Sequence, residues 1–245
     1  AHTSESLTAL ALARGKLRQP DKVVDLFEKH FKASSDIADD RFYATCVQSL
    51  SRIDPNEAMR VFDEVYESTS DKNNNNKNPI RPNLYALNAC VAACAELRQI
   101  SEARKRVSQF VKNNPATPLS SDTLDALFKC AAASGAFAAQ APVIVKELVN
   151  QLGVVPSKKI FRQLYEGVGL AHENDRNVSK TLARDIFGDS RAKRYEEELK
   201  MKSSSSSSTK SDVFDDDDEE QGATENNNSY YDEGEFFDED DEDEF

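Results

Sequence analysis

The sequence predicts an all-α protein in which helices follow one another in pairs, and two recurring spacings of apolar residues indicate this. One spacing places apolar residues at offsets 0, 3, 4 and 7, and the other at offsets 0, 4, 7 and 8. The two alternate along the chain to about residue 188. A third observation marks where the array ends, because beyond Lys202 the chain has no apolar period and is rich in serine, asparagine and acid.

The first spacing occurs in four full copies, each of which marks one apolar face of a helix. The copies are Tyr43, Cys46, Val47, Leu50; Leu87, Cys90, Val91, Cys94; Leu124, Leu127, Phe128, Ala131; and Phe161, Leu164, Tyr165, Val168. A shorter copy is formed by Leu7, Leu10 and Ala11. The copies begin at residues 7, 43, 87, 124 and 161, in steps of 36, 44, 37 and 37 residues. The long step contains a polar insertion between Glu67 and Pro82, which lengthens a surface loop at small entropic cost.

The second spacing begins 15 to 17 residues after each copy of the first. Its copies are Val23, Phe27, His30, Phe31; Ala58, Phe62, Val65, Tyr66; Ala103, Val107, Phe110, Val111; Ala141, Val145, Leu148, Val149; and, more weakly, Val178, Leu182, Asp185, Ile186. Five helix pairs result. Because one pair cannot bury its apolar face alone, the pairs must stack on their neighbours. The sequence therefore predicts an α-solenoid over residues 4–188.

Charge separates the array from the C-terminal segment of the chain. The segment 203–245 has one basic and 18 acidic residues, whereas residues 1–202 have 30 basic and 26 acidic ones. The array is therefore mildly basic although the whole chain has a net charge of −13. We expect a charged helical extension over 189–202 and a disordered acidic tail over 203–245. The chain begins with Ala1, which fits either a processed form or a fragment.

Several segments resemble the pentatricopeptide repeat. The run from Arg81-Pro82-Asn83 to Ala89, followed by Ile100 to Ala103, is similar to one unit closing and the next opening. Gly153-Val154-Val155-Pro156-Ser157 matches the closing of a unit, and Arg60 to Val65 is similar to a second helix. The resemblance covers about residues 4–188 and implies a right-handed α-solenoid of about five helix-turn-helix repeats.

The resemblance also implies that the array binds single-stranded RNA, one base per repeat. In this family the fifth and the last residue of a repeat read the base, which gives two pairs here, Asn88 with Ser120 and Asp125 with Ser157. Asn83 closes the unit before, whose fifth residue is Ala44 and offers no side-chain hydrogen bond. The remaining candidates for RNA contact are Tyr85, Arg81 and Arg162.

The second residue of each unit departs from the family pattern. That residue is usually apolar so that it can wedge against a base, and here the second residues are Arg41, Tyr85, Asp122 and Lys159. Only the unit with Tyr85 and Asn88 has both a ring and a hydrogen-bonding side chain. Arg81 and Arg162 are expected to contact phosphate.

No other chemistry is indicated by motif spacing. Cys46 and Cys90 stand where Leu127 and Leu164 stand in later repeats, so we interpret the four cysteines as core residues rather than zinc ligands. The three histidines have no catalytic partner at a motif spacing, and a phosphate-binding glycine loop is missing. We therefore expect no enzyme, no cofactor, no metal and no membrane span.

Two functions remain open at this stage. The first is RNA binding in organellar RNA metabolism, in processing, stability or translation, with the mitochondrion or plastid implied by the family resemblance. The alternative is a protein-interaction scaffold, for example within a ribonucleoprotein or ribosome-associated assembly. In that case the concave face or the acidic tail would bind the partner, since the same solenoid surface can serve both uses.

Overall fold

A computed structural model of the chain describes residues 3–32, 38–70, 82–167 and 169–205. These residues form eleven α-helices and one π-helical segment, and no strand occurs among them. The helices are α1 (Ser4–Lys16), α2 (Pro20–Lys32), α3 (Asp40–Ser51), α4 (Pro55–Ser70), α5 (Leu84–Glu96), α6 (Ile100–Asn113), α7 (Ser121–Ala133), α8 (Phe137–Val145), α9 (Lys158–Glu166), α10 (Glu173–Phe187) and α11 (Asp189–Ser205). The predicted all-α class is confirmed for this part of the chain.

The odd-numbered helices follow the first apolar spacing. α1, α3, α5, α7 and α9 begin at residues 4, 40, 84, 121 and 158, in each case three residues before the first apolar position. The apolar positions of α3, α5 and α7 are all buried, and so are the four cysteines of these helices. The interpretation of the cysteines as core residues is therefore confirmed.

Three of the turns within helix pairs have the same hydrogen bonds. After α1, α5 and α7, one residue takes a positive φ, namely Arg18 (φ 51), Arg98 (φ 58) and Gly135 (φ 65). In each turn the following N–H bonds five residues back, as in Gln19 to Arg14 and Gln99 to Cys94. This bonding closes a helix end by satisfying its free carbonyls. The recurrence is thus present in the backbone as well as in the side chains.

Neighbouring odd helices pack side by side from α1 to α7. α3 lies between α1 and α5, and α5 lies between α3 and α7, while each even helix packs on the odd helices around it. Helices α1 and α3 approach each other closely at Gly15, because an added Cβ there would lie 2.7 Å from the Cβ of Ser49 in α3. Any larger residue at position 15 would push these two helices apart.

Two hydrogen-bonded contacts join α4 to α6, one between side chains and one from a side chain to the backbone. The carboxylate of Asp63 accepts bonds from Arg106 at 2.6 and 3.1 Å, and Tyr66 Oη donates to the carbonyl of Gln109 at 2.6 Å. Arg106 also pairs with Glu102 one turn earlier on its own helix. These contacts bring together helices on either side of the polar insertion.

The packing changes after α7. Pro142 lies inside α8, and the helix continues as a π-helical segment, Lys146–Gln151. α9 packs against α10 and α11, and α10 packs against α8, whereas α9 does not lie along α7 as the earlier odd helices lie along one another. The ring of Phe161 in α9 contacts Phe187 of α10 and Tyr195 of α11 edge to face, and these contacts hold the three helices together.

Some predictions fall outside the described residues. These are the predicted surface loop of the polar insertion at residues 71–81, which includes Arg81, then Val168 and the tail from residue 206 onward. α11 continues past Lys202, the predicted end of the charged extension, to Ser205.

Candidate nucleic-acid interface

The last residues of the repeats, as counted from the sequence, stand at the N-termini of odd helices. Asn83 caps α5, where its Oδ1 accepts from the N–H of Ala86 at 2.9 Å and its Nδ2 donates to the carbonyl of Asp40 at 2.9 Å. Ser120 and Ser157 occupy the same position before α7 and α9, and neither makes a side-chain cap bond. The amide of Asn83 is therefore already used within the protein, while the hydroxyls of the two serines are not used as caps.

Asn88 lies on α5 and faces α7. Its Oδ1 accepts a hydrogen bond from Thr123 Oγ1 at 2.8 Å, a residue 35 positions further along the chain. Tyr85 stands one turn before Asn88 on the same face of α5, and its side chain is 76% exposed. An exposed ring thus lies next to an amide whose Nδ2 still has hydrogen-bonding capacity.

Asp125 lies on the side of α7 that faces α9. The residue is only 7% exposed. Its Oδ2 lies 3.0 Å from Lys129 Nζ on α7 and 3.8 Å from Lys159 Nζ on α9. Its Oδ1 is buried and has no hydrogen-bond partner. A buried carboxylate oxygen without a partner costs free energy, which makes this position unusual for a purely structural residue.

Basic side chains surround this carboxylate at the surface. Lys129 and Lys159 are 61% and 65% exposed, and Arg162, one turn after Lys159 on α9, is 65% exposed. Arg162 pairs with Glu166 on its own helix. Because the ion pair of Arg162 and Glu166 is exposed and contributes little stability, Arg162 can exchange its partner for another anion.

We refer to Tyr85, Asn88, Thr123, Asp125, Lys129, Lys159 and Arg162 as the polar strip. It runs across α5, α7 and α9, and contacts between side chains link each helix to the next. Thr123 and Lys129 were missed by the sequence reasoning. Lys129 could have been indicated because it lies one turn after Asp125 on the same helix face, whereas the repeat period gives no such indication for Thr123.

The described residues contain no cluster of histidine, cysteine or acidic side chains arranged to hold a metal ion. None of the described helices combines the length and the apolar composition that a membrane crossing requires.

The fold and the strip define an all-α protein of paired helices with a polar and basic surface on its odd helices. In comparisons with known proteins, no family model matches this chain, and no curated protein matches it.

Proposed function

We propose that α1–α10 are five pentatricopeptide-like repeats of a right-handed α-solenoid, and that the array binds single-stranded RNA and has no catalytic activity. The observation that carries the proposal is the polar strip. It places an exposed ring, hydrogen-bonding side chains and three exposed cations along consecutive odd helices. Single strands are bound by this combination, since rings stack on bases and cations contact phosphates.

The residues of the strip divide into two kinds. Lys159 and Arg162 would contact phosphate and contribute equally to all sequences, whereas Asn88 would read one base edge. The site of action that the family resemblance implies is the mitochondrion or plastid, in RNA processing, stability or translation.

Titration with labelled single-stranded RNA over a series of salt concentrations tests the proposal. We expect the double variant Lys159→Ala, Arg162→Ala to weaken binding of every sequence. The slope of the logarithm of affinity against the logarithm of salt concentration should also become less steep, by about 0.7 for each phosphate that is no longer neutralised. The matched control is Lys105→Ala, Lys146→Ala, which removes two exposed lysines from the even-helix side and should bind as the wild type does.

One observation favours the alternative, a protein-interaction scaffold. The side-chain amide of Asn83 caps α5 and bonds to the carbonyl of Asp40 in α3. The side chain of Ala44 cannot form a hydrogen bond with a base. Two of the positions that would read bases are therefore not able to do so. If the wild type shows no affinity for single-stranded RNA even at low salt, the scaffold becomes the better proposal.

A further inference from the structure

A groove of about 290 Å³ lies between α9 and α11. Its apolar lining consists of Phe161 of α9 and of Tyr195 and Leu199 of α11, and we refer to these three residues as the floor. Phe161 is buried, whereas Tyr195 and Leu199 are only partly buried and remain open to the groove. The volume is close to the about 300 Å³ at which sites for small ligands begin. The groove can therefore accept one large apolar side chain.

Three cations of α9 line the same groove, namely Lys158, Lys159 and Arg162, and the side chains of all three are exposed. Glu198 of α11 also lines it, but its carboxylate is shared between Lys158 and Arg194. Among the charged residues that line the groove, positive charge therefore exceeds negative charge. An apolar floor beside exposed cations is complementary to a negatively charged partner that carries an apolar side chain.

The rings of the floor are already engaged by other side chains. Lys158 Nζ lies over the ring of Tyr195, 5.1 Å from its centroid. Tyr195 also meets Phe161 and Phe187 edge to face, and Phe161 is buried. A base of RNA binds by stacking on an open ring face, so it would have to displace Lys158. An apolar side chain can instead enter beside Leu199, which favours a peptide over a nucleotide in this groove.

We propose that the groove between α9 and α11 binds an acidic peptide segment of a partner protein. One aromatic side chain of the peptide lies against the floor, and carboxylates on either side of it lie beside the three cations. An aromatic ring suits the floor because it buries a large apolar area and can meet the rings there edge to face. Lys159 and Arg162 also belong to the polar strip, so a bound peptide should compete with RNA. This last consequence rests on the proposed function, whereas peptide binding itself does not.

Fluorescence polarisation of the full chain with labelled ligands tests the proposal. One acidic peptide carries a single central phenylalanine, a second has alanine in its place, and a uridine oligonucleotide is titrated in parallel. Leu199→Asp places a charge in the floor. The matched control is Met201→Asp, which adds the same charge at an exposed residue of α11 that does not line the groove.

A second pair of variants leaves the floor intact. Lys158→Ala removes one cation from the groove, and the control Lys193→Ala removes an exposed lysine of α11 outside it. Both variants change the net charge of the protein equally. Circular dichroism of all four variants shows whether the helices are retained.

In the wild type and in Met201→Asp we expect the phenylalanine peptide to bind about tenfold more tightly than the alanine peptide, because its ring is removed from water. Leu199→Asp should bind the two peptides alike. Lys158→Ala should weaken both peptides by about threefold and keep the preference, as expected for one exposed charge. Lys193→Ala should bind them as the wild type does.

Three results would overturn the groove as a peptide site. They are equal affinity of the wild type for the two peptides, a preference for phenylalanine that persists in Leu199→Asp, and unchanged affinity for both peptides in Lys158→Ala. An absence of peptide binding would do the same.

The failure of the proposed function is seen separately. If the peptides bind as expected and the oligonucleotide does not bind, RNA binding is wrong and the groove stands. If the oligonucleotide binds and neither peptide does, the groove is wrong and RNA binding stands. If both bind, the unlabelled phenylalanine peptide should displace the labelled oligonucleotide.

Discussion

Helices α3, α5 and α7 and helix α9 have the same apolar spacing, but their buried faces are covered by different neighbours. In the first region each odd helix lies along the next. In the second region α9 packs against α10 and α11, and a cavity lies between α9 and α7. The comparison teaches that apolar spacing determines which face of a helix is buried. The neighbour that covers this face depends on the turns and on particular side chains.

The largest expected difference between the two regions is in how much free energy of unfolding is lost when a core leucine is replaced by alanine. Leu87 in α5 is fully buried, while Leu164 in α9 borders the cavity. We predict that Leu87→Ala lowers the free energy of unfolding by about 3–5 kcal/mol and Leu164→Ala by about 2–3 kcal/mol, because a side chain beside an existing void packs against fewer atoms.

Urea unfolding of both variants measures these losses. The m-value of each variant should equal that of the wild type, which shows that the same unfolding transition is compared in each case. Equal losses, or a larger loss for Leu164→Ala, would show that the second region is as closely packed as the first.

A smaller difference is expected at the helix N-termini. Asn83 caps α5 and also bonds to the carbonyl of Asp40, whereas Ser157 makes no side-chain cap bond at α9. We predict that Asn83→Ala lowers the free energy of unfolding by about 1–2 kcal/mol. Ser157→Ala should change it by less than about 0.5 kcal/mol. The same urea titrations test this, and a comparable loss for both would contradict the assignment of the two caps.

The smallest expected effect concerns alkaline pH. All four cysteines lie in α3, α5 and α7. Burial raises the pKa of Cys130 to about 12 and also raises that of Cys46. Both thiols stay protonated in the folded protein while the unfolded chain ionises them above about pH 8.5. Their contribution to stability is therefore complete below that pH and decreases as the pH rises toward the folded values.

Between pH 7 and 9 we predict a loss of under about 1 kcal/mol for each such thiol. Cys130→Ala should make the decrease in stability over this range smaller, although its stability at pH 7 is lower. Chemical unfolding at the two pH values measures this. An unchanged pH dependence in the variant would show that Cys130 is not held as a neutral thiol.

The helices were predictable because their signal is local and repeated. Every odd helix from α1 to α9 begins three residues before the apolar position that identified it, and the pattern positions of α3, α5 and α7 are buried. The weakest copy was the last, and there Asp185 is exposed and Val178 only partly buried. A spacing with few strongly apolar residues constrains a helix face less.

The site was only partly predictable. The sequence indicated Asn88 and Asp125 through the resemblance, but it did not indicate that Thr123 donates to Asn88 or that Lys129 pairs with Asp125. Neither the interruption at α9 nor the cavity has a signal in the apolar spacing, because both depend on how α10 lies against α8. Contacts between helices that are distant in sequence are set by the whole packing arrangement.

The bridges from Asp63 to Arg106 and from Tyr66 to Gln109 connect α4 to α6 without using the backbone between α4 and α5. These side chains hold α4 against α6 by contacts that do not involve the residues between α4 and α5. Elsewhere, steps of 36 and 37 residues accompany turns closed by recurring hydrogen bonds, and an extra residue would break those bonds. We therefore expect a change in the number of residues between α4 and α5 to leave the bridges between α4 and α6 intact, whereas an added residue in the turn after α1, α5 or α7 should break the bonds that close it.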